Sequence, residues 1–398
     1  PGSVPLVSVS YLDLSGNNAF PVSVDPVLAE GTGIMPFQAG LSVTGNVLNG
    51  GIFKTGSGLL SLGSGGSTYG GGVDLRGGGL IFAASSSGTP VTAGPLGTGA
   101  LTLSANNLLL SADAAARTVG NPIVLTGSAA QVTLASPNSA QLILSGSVSW
   151  AGTVGMAKAL TVHGSSGVHF SGTISGAGIG DSLIKEGPGL LILSGSGNAN
   201  TWGTGGSLAL VLNNGTLEVQ GTGAAFEPLG VVPAVTTADN LVLNGGVLSL
   251  NASGTLDARR GIMLGGTGSA STGVLSVASG RTVLYGGVIA NGSGNAGGLV
   301  KSGAGTLILT GANTFAGTAY VTGGFLSVAG SSASALNSVL PGSVVRVAGG
   351  GFGVSLDGDG TGRIETIPVT ETVVFEQGGA LTAGRAALFT GGFNQAAN

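Results

Sequence analysis

"KSGAGTLILTGANTF", Lys301 to Phe315, places one of only four lysines in 398 residues directly ahead of a Gly-x-Gly run. The frame recurs as "KTGSGLLSLGSGGSTY" from Lys54 and "KEGPGLLILSGSGNANTW" from Lys185. In each copy two apolar residues precede the lysine: Ile52-Phe53, Leu183-Ile184 and Leu299-Val300. Glycines follow at Gly56 and Gly58, Gly187 and Gly189, Gly303 and Gly305. Next come Leu60 and Leu62, Leu191 and Leu193, Leu307 and Leu309, and then an aromatic, Tyr69, Trp202 or Phe315. A leucine spacing of two puts both side chains on one face of a strand, so that face is expected to be buried.

A phosphate-binding loop carries its lysine at the end of the glycine run, followed by Ser or Thr opening a helix. Here the lysine comes first and a strand follows. The lysine therefore reads as a corner residue whose stem covers an apolar edge and whose ammonium bonds turn carbonyls.

The composition agrees with a strand-and-turn chain. Glycine supplies 80 residues, charged side chains 7%, aromatics 5% and hydrophobic residues 42%. Helix is disfavoured because each glycine costs about 1 kcal/mol relative to alanine in a helix interior. Disorder is disfavoured because Leu, Val and Ile recur at strand spacing throughout. No run approaches the roughly 20 apolar residues of a membrane-spanning helix. Cysteine is absent, which excludes disulfides and thiolate metal sites. The net charge of −4, with scattered basic residues, argues against nucleic acid as a partner. The chain opens on Pro1 without an initiator Met, so a processed form or a segment of a longer protein is expected.

Short strands separated by Gly, Asn and Ser, without regularly placed tight hairpin signals, favour an elongated parallel β-helix over a sandwich. Coils of about 20 residues would give roughly 20 coils and a rod on the order of 90 Å. The expected organisation is an N-terminal cap or assembly segment at 1–35, a β-helix at 36–354 with three repeats centred on Lys54, Lys185 and Lys301, and a C-terminal cap or assembly segment at 355–398.

"KSGAGTLILTGANTFAGTAYVTGGFLSV", Lys301 to Val328, closely resembles the passenger-associated transport repeat, or autotransporter-associated β-strand repeat, of bacterial surface proteins. The Lys54 copy is looser, and the Lys185 copy carries an insertion around "GNANTWGTGGS". The resemblance implies a right-handed β-helix on the outside of a bacterium and does not imply a catalytic activity. The C-terminal "RAALFTGGFNQAAN" does not read as a barrel strand, so no translocator is expected in this chain, and either it was removed or export takes another route.

Three further constellations carry candidate chemistry. "LDGDGTGRIE" sets Asp357, Asp359 and Thr361 at positions one, three and five of an EF-hand-like calcium loop, with Pro368 where the bidentate Glu belongs. Its alternative is a solvated acidic turn, and no other cofactor is expected. The only histidines, His163 and His169, lack a local third ligand and read as neighbouring strand or turn residues. Carbohydrate-active β-helices need clustered carboxylates, and the 16 acidic residues here are mostly single, so an enzyme is not expected. Low charge and open sheet ends point to self-association into an extracellular surface fibre, sheath or matrix. The alternative is a monomeric adhesin stalk binding cell-surface glycans or proteins.

Overall fold

The computed structural model describes residues 5–29, 32–33, 38–127, 130–137, 140–150, 157–176, 180–194, 200–203, 209–221, 226–266, 272–292, 296–329 and 345–348, and beyond them six short strands between 351 and 395. Two compact units divide the chain. Unit 1 comprises residues 1–194 and 200–202, and unit 2 comprises 195–199 and 203–398.

Unit 1 is built on three parallel sheets in which strand order in space is strand order in the chain. One face contains Leu59–Leu62, Gly79–Phe82, Leu108–Ala112, Gln131–Ala135 and Ala157–His163 in succession. The second contains Asn46–Thr55, Val73–Leu75, Leu101–Leu103, Ile123–Leu125 and Val148–Trp150, and the third runs from Arg117–Val119 to Leu190–Ser194. The chain visits the faces in turn, so each strand stacks on its counterpart one coil earlier. This is a parallel β-helix. Unit 2 repeats the arrangement, with faces beginning at Leu210–Leu212, Thr216–Gln220 and Gly254–Leu256. The antiparallel exceptions among the described residues are the pairing of Leu28–Ala29 with Thr32–Gly33 and a bridge between Ser87 and Ala93.

Alternation decides which side chains line the interior. Leu60, Leu80, Leu110 and Leu134 are successive register partners, and all are buried. Leu307 and Leu326 stack in the same way in unit 2. Burying a Leu or Val side chain contributes about 1.5–3 kcal/mol, and these columns are the main stabilising term.

The coils are longer than the expected twenty residues at most steps. Leu60 pairs with Leu80 and Leu307 with Leu326, but Leu80 pairs with Leu110, Leu134 with Val162 and Leu275 with Lys301. Loops between strands absorb the difference while the strand registers stay fixed, because a one-residue slip would turn the apolar set outward.

Candidate functional site

All three repeat lysines are buried: Lys54, Lys185 and Lys301 are each 0% exposed. The Lys54 ammonium donates to the carbonyls of Thr55, Gly56 and Gly77 at 2.7, 3.0 and 3.0 Å. Lys301 reproduces this with Ser302, Gly303 and Gly323 at 2.9, 3.0 and 2.9 Å. Lys185 donates to Glu186 and Gly187 at 2.8 and 2.7 Å. Bonding to turn carbonyls is as the sequence suggests, but the stem lies inside the coil and covers no outer edge. In Lys54 and Lys301 the ammonium thus joins its own turn to the turn one coil later, satisfying carbonyls that would otherwise be orphaned at a corner.

Each glycine of the run has its own cause. Gly56, Gly187 and Gly303 take φ of 74°, 72° and 71°, the left-handed region that glycine enters without strain. A Cβ on Gly58, Gly189 or Gly305 would collide with backbone of the preceding coil, at Asp25, Val162 and Ala278 respectively. The same three residues donate their N–H groups to Val24, Val162 and Val277.

A second joint follows in every copy. Ser67, Asn200 and Asn313 each accept a hydrogen bond from a backbone N–H one coil earlier, at Val47, Ile174 and Ile289, over 2.9, 2.7 and 2.8 Å. The next residue, Thr68, Thr201 or Thr314, donates its own N–H to the carbonyl of that same partner. One position further on, Tyr69, Trp202 and Phe315 are each completely buried. The repeat is therefore a corner module, consisting of an ammonium clamp, a reciprocal stitch and an aromatic plug. In unit 1 the two copies occupy different corners, since Lys54 and Lys185 lie on different sheets.

A related device closes two Pro-Leu-Gly turns. Asn121 donates to the carbonyls of Gly97 and Gly99 at 3.0 and 2.8 Å. Arg260, fully buried, donates to the carbonyls of Leu229 and Gly230 and to Asn240 Oδ1. Leu96 and Leu229 are completely buried in these turns.

Burial pulls the pKa of Lys54, Lys185 and Lys301 down to about 8 from the ordinary 10.5, offset in part by Asp25 beside Lys54 and Glu186 beside Lys185. The folded chain then binds fewer lysine protons than the unfolded chain between about pH 8 and 10.5, so this contribution makes stability rise with pH in that window and fall as pH drops through 8. Burial raises Tyr69 and Tyr285 in the opposite sense, which costs stability only above about pH 10. The urea midpoint of the wild type is expected to be higher at pH 9.5 than at 7.5. In a Lys54→Met/Lys301→Met variant the rise should shrink, and an equal rise would contradict the assignment.

The fourth lysine, Lys158, is also buried and donates to Thr126 O at 2.9 Å, so all four ammonium groups are inside the fold. His163 ends one strand and His169 lies in the middle of another, with His169 Nε2 2.6 Å from Ser194 Oγ. Among the described residues no three His, Cys, Asp or Glu side chains group as metal ligands. The proposed calcium loop, Asp357, Asp359 and Thr361, lies outside the described residues. No described helix is long and apolar enough to cross a membrane.

The first coil presents a different surface. Among the described residues Leu6–Val7 and Tyr11–Ser23 are the outermost strands of two sheets, each paired on one side. Leu6 is 59% exposed, Val9 48%, Tyr11 63% and Phe20 38%. A cavity of about 370 Å³ lies at this coil, lined by Leu12, Leu14, Phe20, Val43, Val47 and Ile52 among others. Four of the six exposed large hydrophobic residues among those described thus fall within residues 6–20.

The passenger-associated-transport-repeat family matches the chain at residues 52–81 and 299–328, two of the three lysine-centred copies. The Lys185 copy, with its sequence insertion, is not matched, although its lysine donates to the carbonyls of its own turn and its stitch has the same geometry as in the other two. No curated protein and no solved structure matches the chain. Two stretches of the chain thus resemble this repeat, whose family suggests a surface or secreted protein.

Proposed function

We propose that the protein is a non-catalytic structural subunit of a bacterial surface fibre, sheath or matrix, assembled by self-association through the ends of its β-helix. The observation that carries this reading is the first coil. Among the described residues each of its two outermost strands has a partner on one side, which leaves an edge open to a further strand, and its side chains expose an apolar patch beside an incompletely filled core. An added parallel coil would satisfy both deficits. A head-to-tail contact that does not close on itself generates a filament. The burial of all four ammonium groups supports a structural role for the repeats, because it leaves no lysine to bind or transform a ligand.

Negative-stain electron microscopy across a concentration series tests the proposal. The wild type should form filaments of constant width, and a Tyr11→Asp/Phe20→Asp variant should abolish them while retaining its β-sheet circular dichroism. Single molecules at every wild-type concentration would sink the proposal and favour an adhesin stalk.

A further inference from the structure

Four Asn-Gly pairs occur in the chain, at 49–50, 214–215, 244–245 and 291–292. Such a pair can modify itself. The glycine nitrogen attacks the carboxamide carbon of the asparagine, and a glycine carries no side chain to hinder the approach. The reaction needs that carboxamide beside the following backbone nitrogen, so the fold decides which pair is competent.

Three of the pairs hold the carboxamide on other segments. Asn49 donates its Nδ2 to the two carboxylate oxygens of Asp13, at 3.3 and 3.2 Å. Asn244 is tied at both ends: Nδ2 donates to Asn213 Oδ1 at 2.9 Å, and Oδ1 accepts from the Gly266 N–H at 2.9 Å. Asn291 likewise donates to the carbonyl of Gly297 at 2.8 Å and accepts from the Ala316 N–H at 2.6 Å. The Gly292 nitrogen is itself committed, since it donates to the Leu264 carbonyl at 3.1 Å.

Asn214 is arranged differently. It is exposed, in the turn between Leu210–Leu212 and Thr216–Gln220. Its Oδ1 accepts the N–H of Gly215 itself at 2.7 Å. The carboxamide is therefore folded back over the nitrogen that attacks it, and the carbon to be attacked is one bond from the oxygen in that contact. Gly215 takes φ of 67°, which a residue with a Cβ rarely adopts. The next coil holds the turn in this shape: Val247 donates to the Gly215 carbonyl at 2.9 Å, and Asn244 and Gly246 donate to the Leu212 carbonyl at 2.8 and 3.1 Å. Rotation about the Asn214 Cβ–Cγ bond then suffices to turn the carbon toward the nitrogen.

We infer that Asn214–Gly215 is a self-modification site, at which the folded chain converts Asn214 to aspartate and isoaspartate through a cyclic imide. Hydroxide takes the Gly215 N–H proton, and the nitrogen electron pair forms a bond to Asn214 Cγ. The Cγ–Nδ2 bond breaks, and the amide nitrogen leaves as ammonia with a proton from water. A water molecule then adds to one ring carbonyl and breaks that carbon's bond to the Gly215 nitrogen, which recovers its proton. Opening at Cγ gives aspartate, and opening at the backbone carbonyl gives isoaspartate. In sum one water is consumed, one ammonia is released and a carboxylate replaces the carboxamide. The product places a negative charge beside the Asn213–Asn244–Gly266 ladder, and its isoaspartate form adds a methylene to the backbone of the turn. None of this depends on how the chain associates.

Incubation of the purified chain at mildly alkaline pH tests the inference, with peptide mass spectrometry reading the amide-to-acid mass gain and an isoaspartyl methyltransferase labelling the isoaspartate. In the folded chain Asn214 should react at least about tenfold faster than Asn49, Asn244 or Asn291, because each of those side chains must first give up its hydrogen bonds. In the guanidinium-unfolded chain the four pairs should react at comparable rates. Asn214→Gln keeps an amide at the exposed turn but lengthens its arm, and should abolish the product at this position while leaving the β-sheet circular dichroism and the other three sites unchanged. Faster reaction at any other pair in the folded chain, or the same ranking in the folded and unfolded chains, would overturn the inference.

Discussion

Replacing Lys301 by methionine should lower the stability of the folded chain by about 3–5 kcal/mol, because three corner carbonyls lose their donor together. Methionine fills much of the same space with an apolar stem, so the loss is one of hydrogen bonding more than of volume. Ser302, Gly303 and Gly323 keep their positions on two neighbouring coils and leave carbonyl oxygens facing a thioether. Arginine should fare little better, since its planar fork does not match three carbonyls converging on a point. Arg281→Met, at an exposed position, is the control and should stay within about 0.5 kcal/mol of wild type. Urea unfolding followed by circular dichroism measures the difference. A Lys301→Met midpoint equal to that of the control would show that the clamp is dispensable.

Trp202→Ala should cost a similar amount, about 3–5 kcal/mol, for the complementary reason that a large plug leaves the interior of unit 1. Trp202 is completely buried, and its ring lies 6.1 Å from that of Trp150 at an interplanar angle of 35°. Its indole N–H has no hydrogen-bond partner among the described residues, so Trp202→Phe forfeits volume but no polar contact seen there and should retain most of the stability. The other copies already carry Tyr69 and Phe315 at this place, which indicates that the corner accepts any aromatic ring. If Trp202→Phe were as damaging as Trp202→Ala, the role of the ring would be more specific than filling space.

Much of this architecture can be read from the residues because the repeat is local. The lysine, both glycines, the two leucines and the aromatic act within some fifteen residues of one another, and their spacing alone separates a strand corner from a phosphate loop. The third acceptor of each clamp is less legible. Gly77 and Gly323 belong to the following coil, and nothing at Lys54 or Lys301 announces the distance to it. Coil length fails for the same reason, since it is set by loops that the strand pattern does not constrain. Arg260 is the clearest omission. It adjoins Arg259 in the sequence, yet Arg259 pairs with Asp257 near solvent while Arg260 turns inward to two carbonyls. The available signal was the repeated Pro-Leu-Gly, at 95–97 and 228–230, each needing a buried donor one coil later. The exposed first coil was legible only as an atypical segment, because exposure depends on which strands find a partner on both sides.

Side-chain nitrogen NMR of the lysine ammonium groups would test most directly whether the repeats are carbonyl-caging corners rather than ligand sites. With each signal assigned by its Lys→Met variant, Lys54, Lys185 and Lys301 should give slowly exchanging ammonium resonances below pH 8. They should titrate near pH 8 and stay unmoved by added phosphate or nucleotide. Rapidly exchanging ammonium groups with ordinary lysine titration, or resonances that shift on adding phosphate, would contradict the account.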